Sequence, residues 1–181
     1  SEFFMDGDTS HITKTIINRG TIEAKGLGSG SGGYVYFYAD DLIVNYGTIE
    51  ASGGSSDTGS GGNGNEIDIY LNNSNNGKFY SFGTILAKGG DSSDSFGSNG
   101  GTGGYLYIDV PDLVVNTGTV DVSGGSSTAG AGGSGGEFDV YVGYGDFYSS
   151  GTVRMNGGNG ATTGGDTTST ATSSGAGSGF T

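Results

Sequence analysis

The chain has no cysteine and no tryptophan, and only one histidine and one proline. Without thiols it can form no disulfide, thiolate metal site or thiol nucleophile, and one histidine cannot build a His-based zinc site. Cations are scarce as well. Lys+Arg 6 against Asp+Glu 19 gives a net charge of −13, which repels nucleic-acid backbones and anionic lipid and leaves no basic patch to hold phosphate. No apolar run approaches the roughly 20 residues that a membrane-spanning helix needs, so membrane insertion is not expected. Helical periodicity is missing too: no apolar i, i+3, i+4, i+7 face occurs, and Gly, Thr and Asn are poor helix formers.

What is present in quantity is glycine, at 42 of 181 residues, together with Ser, Thr and Asn. A hydrophobic fraction of 31% borders on that of disordered chains, yet Tyr 11 and Phe 9 are too many aromatics for a disordered tail. The apolar content must therefore be concentrated, and a repeat concentrates it. Gly-Thr-Ile/Val occurs at Gly20, Gly47, Gly83, Gly118 and Gly151, in steps of 27, 36, 35 and 33 residues. Its flanks recur as NRGTIEAKG, NYGTIEASGG, SFGTILAKGG, NTGTVDVSGG and SSGTVRMNGG, and upstream lie SEFFMD, GGYVYFYAD, GNEIDIYLN, GGYLYIDVP and GGEFDVYVG.

Within these blocks apolar residues alternate with period two, the mark of half-buried strands. One face of the upstream strand carries Phe3, Val35, Ile67, Leu106 and Phe138, while the Gly-Thr strand carries Ile22, Ile49, Ile85, Val120 and Val153. A middle strand, DLIVN or PDLVVN, is shorter and less regular. One unit cannot bury its apolar face alone, but stacked units share a continuous core. The expected fold is all-β: a parallel β-solenoid of about five coils with three short strands per coil and Gly/Ser-rich loops at one corner. Five coils at about 4.8 Å each make a rod roughly 24 Å long. The solenoid is expected to span residues 1–158, with a Gly/Ser/Thr-rich tail over 159–181. The glycines of Gly-Thr-Ile are expected to supply positive φ at a corner. Asn18, Asn45 and Asn116, with Ser81 and Ser149 in their place elsewhere, are expected to bond local backbone or form a side-chain ladder.

The pattern Gly-Gly-x-Φ-x-Φ followed by Asn-x-Gly-Thr-Ile-x-Ala-x-Gly-Gly resembles the Gly-rich parallel β-helix repeats of bacterial surface proteins, including adhesins and autotransporter passenger domains. The resemblance implies a fold and an extracellular or cell-surface setting. It carries over no catalytic residue.

Stacking the upstream strands sets three outward columns: Glu2, Tyr34, Glu66, Tyr105, Glu137; Phe4, Tyr36, Asp68, Tyr107, Asp139; and Asp6, Tyr38, Tyr70, Asp109, Tyr141. Interposed tyrosines hold like charges about two coil spacings apart. The same rings, Tyr34, Tyr36, Tyr38, Tyr105 and Tyr107 above all, could form a platform for sugar rings or a protein partner. Paired carboxylates could in principle cleave glycosides, but no Arg or His stands in the columns, so no enzymatic activity and no cofactor is expected. Calcium has only loop carboxylates to bind, Asp6/Asp8, Asp40/Asp41 and Asp91/Asp94. In GGNGNEIDIY, Glu66 and Asp68 break the calcium nonapeptide pattern. His11 reads as a surface residue, and Asn72-Asn73-Ser74 is a single glycosylation sequon.

Two functions remain. One is an extracellular structural subunit that polymerises head to tail, because a solenoid without polar caps exposes strand edges at both ends. Its contacts would come from Glu2, Phe3 and Phe4 in the first coil, Glu137 and Phe138 in the last, and Phe180 in the tail. The other is an adhesin or polysaccharide-binding module that uses the tyrosine-rich face.

Overall fold

In the computed structural model, residues 2–5, 14–72, 76–165, 171–174 and 179–180 are described, the first and the last two of these segments by their backbone alone. The described residues are all β and contain no helix. Five coils contribute three strands each: β1 (Glu2–Met5), β2 (Thr15–Asn18), β3 (Thr21–Glu23); β4 (Tyr34–Ala39), β5 (Leu42–Asn45), β6 (Thr48–Glu50); β7 (Glu66–Leu71), β8 (Lys78–Ser81), β9 (Thr84–Leu86). They continue with β10 (Tyr105–Val110), β11 (Leu113–Asn116), β12 (Thr119–Asp121), and β13 (Glu137–Val142), β14 (Asp146–Ser149), β15 (Thr152–Arg154). Two further strands, β16 (Ala171–Ser174) and β17 (Gly179–Phe180), begin a sixth. Like strands stack in parallel into three sheets: β1-β4-β7-β10-β13-β16, β2-β5-β8-β11-β14-β17 and β3-β6-β9-β12-β15. This is the β-solenoid that the repeat predicts.

The register is that of the sequence repeat, with Val35 opposite Ile67, Leu106 opposite Ile67 and Phe138, and Thr84 opposite Thr48 and Thr119. Val35, Ile67, Leu106 and Phe138 are fully buried in one column, and Ile43, Phe79, Val114 and Phe147 face them from the second sheet. Ile49, Ile85 and Val120 close the core from the third. Phe138 and Phe147 meet edge to face at 6.2 Å. Alternation decides this geometry: in a strand, residues two apart share a face, so each coil delivers its apolar set inward.

The Gly/Ser tracts leave at one corner, where they form an ordered layer of their own. From Gly54 through Gly62, Gly90, Gly101, Gly125, Gly133 and Gly158 to Gly165, each glycine donates its N–H to the carbonyl of the one before it, beginning at Gly30, over 2.7–2.9 Å. Ser56, Ser92 and Ser127 bridge successive tracts in parallel. The tracts pack this closely because they lack side chains: a Cβ on Gly101 would lie 1.9 Å from the Gly62 carbonyl oxygen.

The same reason corrects the expectation of positive φ in Gly-Thr-Ile. Among the described residues only Gly28 and Gly97 have positive φ. Gly47, Gly83, Gly118 and Gly151 are needed because a Cβ on each would sit 2.0–2.2 Å from the carbonyl oxygen of the same glycine one coil earlier. That oxygen accepts the next Thr N–H, as in Thr48 to Gly20 at 2.9 Å. Gly20 has no described coil beneath it, and a Cβ there would meet nothing within 4 Å.

Beside these glycines the predicted ladder is present. Asn18 Nδ2 donates to Asn45 Oδ1 at 2.9 Å, Asn45 Nδ2 to the Thr84 carbonyl at 3.3 Å, and Asn116 Nδ2 to Ser149 Oγ at 3.3 Å. Ser81 interrupts the ladder. Its Oγ and Asn116 Oδ1 are buried with no hydrogen-bond partner.

The tail extends the stack. β16 pairs with β13, bringing Ala171 opposite Phe138, and β17 pairs with β14, bringing Phe180 opposite Ser149. Phe138 is therefore covered by a further strand, while Glu137 lies just before the paired stretch and is exposed.

Two substitutions separate close approach from backbone conformation. Gly101→Ala should destabilise the fold by about 3 kcal/mol, since the tract must move apart, whereas Gly20→Ala should stay within about 0.5 kcal/mol of the parent; urea denaturation checks both. Ser81→Asn should supply the missing donor to Asn116 Oδ1 and raise Tm by about 3 °C, as about 1 kcal/mol does in a chain of this size.

Candidate functional site

The outer wall of the first sheet gathers the predicted tyrosines. Alternation turns Tyr34, Tyr36, Tyr38, Tyr105 and Tyr107 outward, and stacking brings Tyr36 opposite Asp68, Tyr107 opposite Asp68 and Asp139, and Tyr105 opposite Glu66 and Glu137. Like charges in these columns are thus two coils apart, as the sequence predicts. The third column departs from alternation, with Tyr38 opposite Tyr70.

The rings form one network. Tyr36 stacks on Tyr34 and Tyr38 with centroids 6.2 and 6.4 Å away, and contacts Tyr70 at 5.5 Å. Tyr70 reaches Tyr107 at 5.3 Å, which in turn touches Tyr105 and Tyr141 at 6.0 and 5.4 Å. Tyr70, which links Tyr36 to Tyr107 across coils, and Tyr141, which extends the network beyond Tyr107, complete the platform. Their contacts follow from coil spacing: parallel strands about 4.8 Å apart hold neighbouring rings at stacking distance.

Two phenols are tied down the same way. Tyr34 Oη donates to Asp68 Oδ2, and Tyr105 Oη donates to Asp139 Oδ2 at 2.8 Å. Each bond runs one coil onward and one column across. Burial raises the pKa of Tyr34, Tyr70, Tyr105 and Tyr107, with carboxylate neighbours adding to the effect, and Tyr70 is pushed up to about 12. The phenols therefore stay neutral donors through the physiological range.

The carboxyl groups of Glu66 and Asp68 form the most unusual pair of the wall. Asp68 is 5% exposed, and its Oδ1 accepts from no donor. Burial raises its pKa against the opposing pull of hydrogen bonds from Tyr34 and Glu66. Glu66 is raised by burial first and by the Asp68 charge second. A carboxylate short of both solvent and donors is costly to ionise, which is the direction in which both groups are shifted. Burial alone raises Asp109. Beside this pair a shallow groove runs along the corner, lined by Glu66, Tyr105, Glu137 and the backbone of Gly64, Gly103 and Gly136.

Two of the loop carboxylates, Asp91 and Asp94, are engaged within the chain. Asp94 accepts from the Phe96 N–H and Ser98 Oγ, and Asp91 Oδ1 from the Ser126 N–H at 2.7 Å. Among the described residues no three His, Cys, Asp or Glu side chains form a group that could hold a metal ion. Asp6, Asp8, His11, Asn73 and Ser74 lie outside the described residues, as do the side chains of Glu2, Phe3, Phe4 and Phe180.

A second feature was not read from the sequence. The outer wall of the second sheet is apolar, with Ile17, Tyr46, Phe82 and Tyr148 exposed. Its signal lay in DLIVN, PDLVVN and TIIN, where outward positions are as apolar as inward ones and period two disappears.

Fold and walls together define a parallel β-solenoid with one acidic, tyrosine-lined side and one apolar side. No protein-family model matches the chain, and neither a curated protein nor a solved structure matches it.

The raised carboxyls set a pH dependence. A carboxyl whose pKa is higher folded than unfolded stabilises the fold fully below its ordinary value near 4, and that stabilisation is lost as pH rises through the raised value. Thermal melts should therefore show Tm falling as the pH rises above about 4. In Asp68→Asn, which keeps an acceptor for Tyr34, the fall should shrink and Tm at pH 7 should rise by about 3 °C.

Proposed function

We propose that the chain is an extracellular structural subunit whose solenoids stack head to tail into a filament or surface fibre. The observation that carries this is the state of the sheet ends. At one end β1, β2 and β3, and at the other β15, β16 and β17, pair on one side only among the described residues. All are parallel and follow the same order around the axis, so β1 and β2 of one copy can continue β16 and β17 of another, while the third sheet, with five described strands to their six, leaves one strand position open at the joint. Unpaired strand N–H and C=O groups are costly to leave open and pair readily with a matching edge. The contact is heterologous and does not close, which builds a fibre and not a ring. On this reading the contacts at the C-terminal end belong to the outer edges of β16 and β17.

The extracellular setting rests on the Gly-rich coils, which resemble those of bacterial adhesins and autotransporter passengers. No turnover, cofactor or nucleic acid enters this reading. A second reading rests on the tyrosine network: a continuous ring platform beside hydrogen-bonding carboxylates suits the stacking of polysaccharide rings, which would make the chain an adhesive module.

Electron microscopy of the purified chain separates the two. Head-to-tail stacking should give filaments with an axial repeat of about 29 Å, six layers at about 4.8 Å each. A chain that stays monomeric at high concentration and binds soluble polysaccharide, with binding lost in Tyr36→Ala and Tyr107→Ala, would overturn the filament and leave the adhesive module.

A further inference from the structure

The second sheet's outer wall has no role in either reading. Its central column is Ile17, Val44, Tyr80, Val115 and Tyr148 in register across five coils. Tyr46 and Phe82 widen it at the corner, with rings stacked at 5.2 Å, and Phe82 stacks on Tyr80 at 6.1 Å. Ile17, Tyr46 and Tyr148 are exposed at 46%, 53% and 57%, and Tyr80 and Val115 are half-buried, whereas Val44 within the column is buried, with 7% exposed.

Charge selects the occupant. The tyrosine wall presents Glu66, Asp68, Asp109, Glu137 and Asp139 with no Lys or Arg among its described outward residues. On the apolar wall the outward strand positions carry only Lys78 and Asp146, and Lys78 is paired with Asp112 at 3.3 Å. Arg19 adds a cation at its edge, over the Tyr46 ring at 5.4 Å. A cationic partner would be drawn to the tyrosine wall. Of these two walls, the apolar one is where a molecule as acidic as this chain, with its net charge of −13, meets the less like-charge repulsion.

We infer that the outer wall of the second sheet is a lateral docking surface for a second copy of this chain, the two walls packing face to face. Stacked sheets lie about 10 Å apart and interdigitate their side chains, and Tyr80, Val115 and Tyr148 would supply the interlock. The area also sets when pairing occurs. Four residues across and five coils deep, the wall covers roughly 300 Å², well under the ~800 Å² per partner of a stable complex. A pair of single solenoids is therefore weak, while rods lengthened along their axis add contact with every layer. Strong pairing rests on the filament reading, so lateral bundling should follow elongation.

The test compares the parent chain with Val115→Lys/Tyr148→Lys, which alters only outward positions. Parent filaments should appear paired or bundled, the more so at about 1 M salt where residual repulsion is screened, and the variant should form single filaments of unchanged axial repeat. Single parent filaments at all salt concentrations, or bundles that persist in the variant, would overturn the inference. Should no filaments form, the filament reading fails by itself, and sedimentation at high concentration still decides this one. Weak dimers, with a dissociation constant about tenfold higher in the variant, support the docking surface; monomers throughout overturn it. Parent monomers that bind cellohexaose, with binding lost in Tyr80→Lys, would assign the wall to a glycan and overturn it as well.

Discussion

Coil-to-coil spacing governs this molecule. A parallel stack fixes neighbouring backbones about 4.8 Å apart along the axis, and every side chain must tolerate a copy of its own position above and below. Where the chain bulges away from the sheets, close approach is kept by removing side chains altogether. The glycine N–H to carbonyl chain from Gly54 to Gly165 then does for the corner what the ladders do for the sheets. Buried backbone polar groups need partners, and the glycine layer provides them without a hydrophobic core of its own. The two halves of each coil therefore rest on different physics: apolar burial inside the sheets, and backbone hydrogen bonding with Cα–H groups against carbonyls at the corner.

The same spacing explains the chemistry of the walls. Identical columns of carboxylates at one-coil separation would repel, and the tyrosines between them relieve this in two ways. They double the distance between charges, and through Tyr34 and Tyr105 they donate hydrogen bonds to Asp68 and Asp139. Their bulk has a cost, because it takes water away from Asp68, Glu66 and Asp109 and lifts their pKa values. The wall is thus less anionic than its formal count at mildly acidic pH.

Much of the fold was legible because stacking copies a pattern. Gly-Thr-Ile set the phase, and alternation placed Val35, Ile67, Leu106 and Phe138 in one buried column. The inward Asn and Ser positions likewise followed from their place before the Gly-Thr corner. Three features were hidden for physical reasons. Glycine composition alone does not tell a positive φ from a close approach, and Gly47 needs the second, which only a neighbouring coil reveals. The apolar wall was masked because DLIVN is hydrophobic on both faces. The strands of the tail, poor in apolar residues, take their conformation from the β13 and β14 edges rather than from their own sequence.

The corner tracts differ in length from coil to coil, while the strands they connect keep one register. Register is read locally, by the pairing of each strand with the strand beneath it, and the extra residues are absorbed sideways in the glycine layer. A whole unit could therefore be duplicated or deleted in the gene without rewriting its neighbours, provided the new unit restores a glycine wherever a carbonyl presses from below. Rod length in such a chain becomes a matter of copy number, and gain or loss of units that keep the same inward pattern would leave the interior intact.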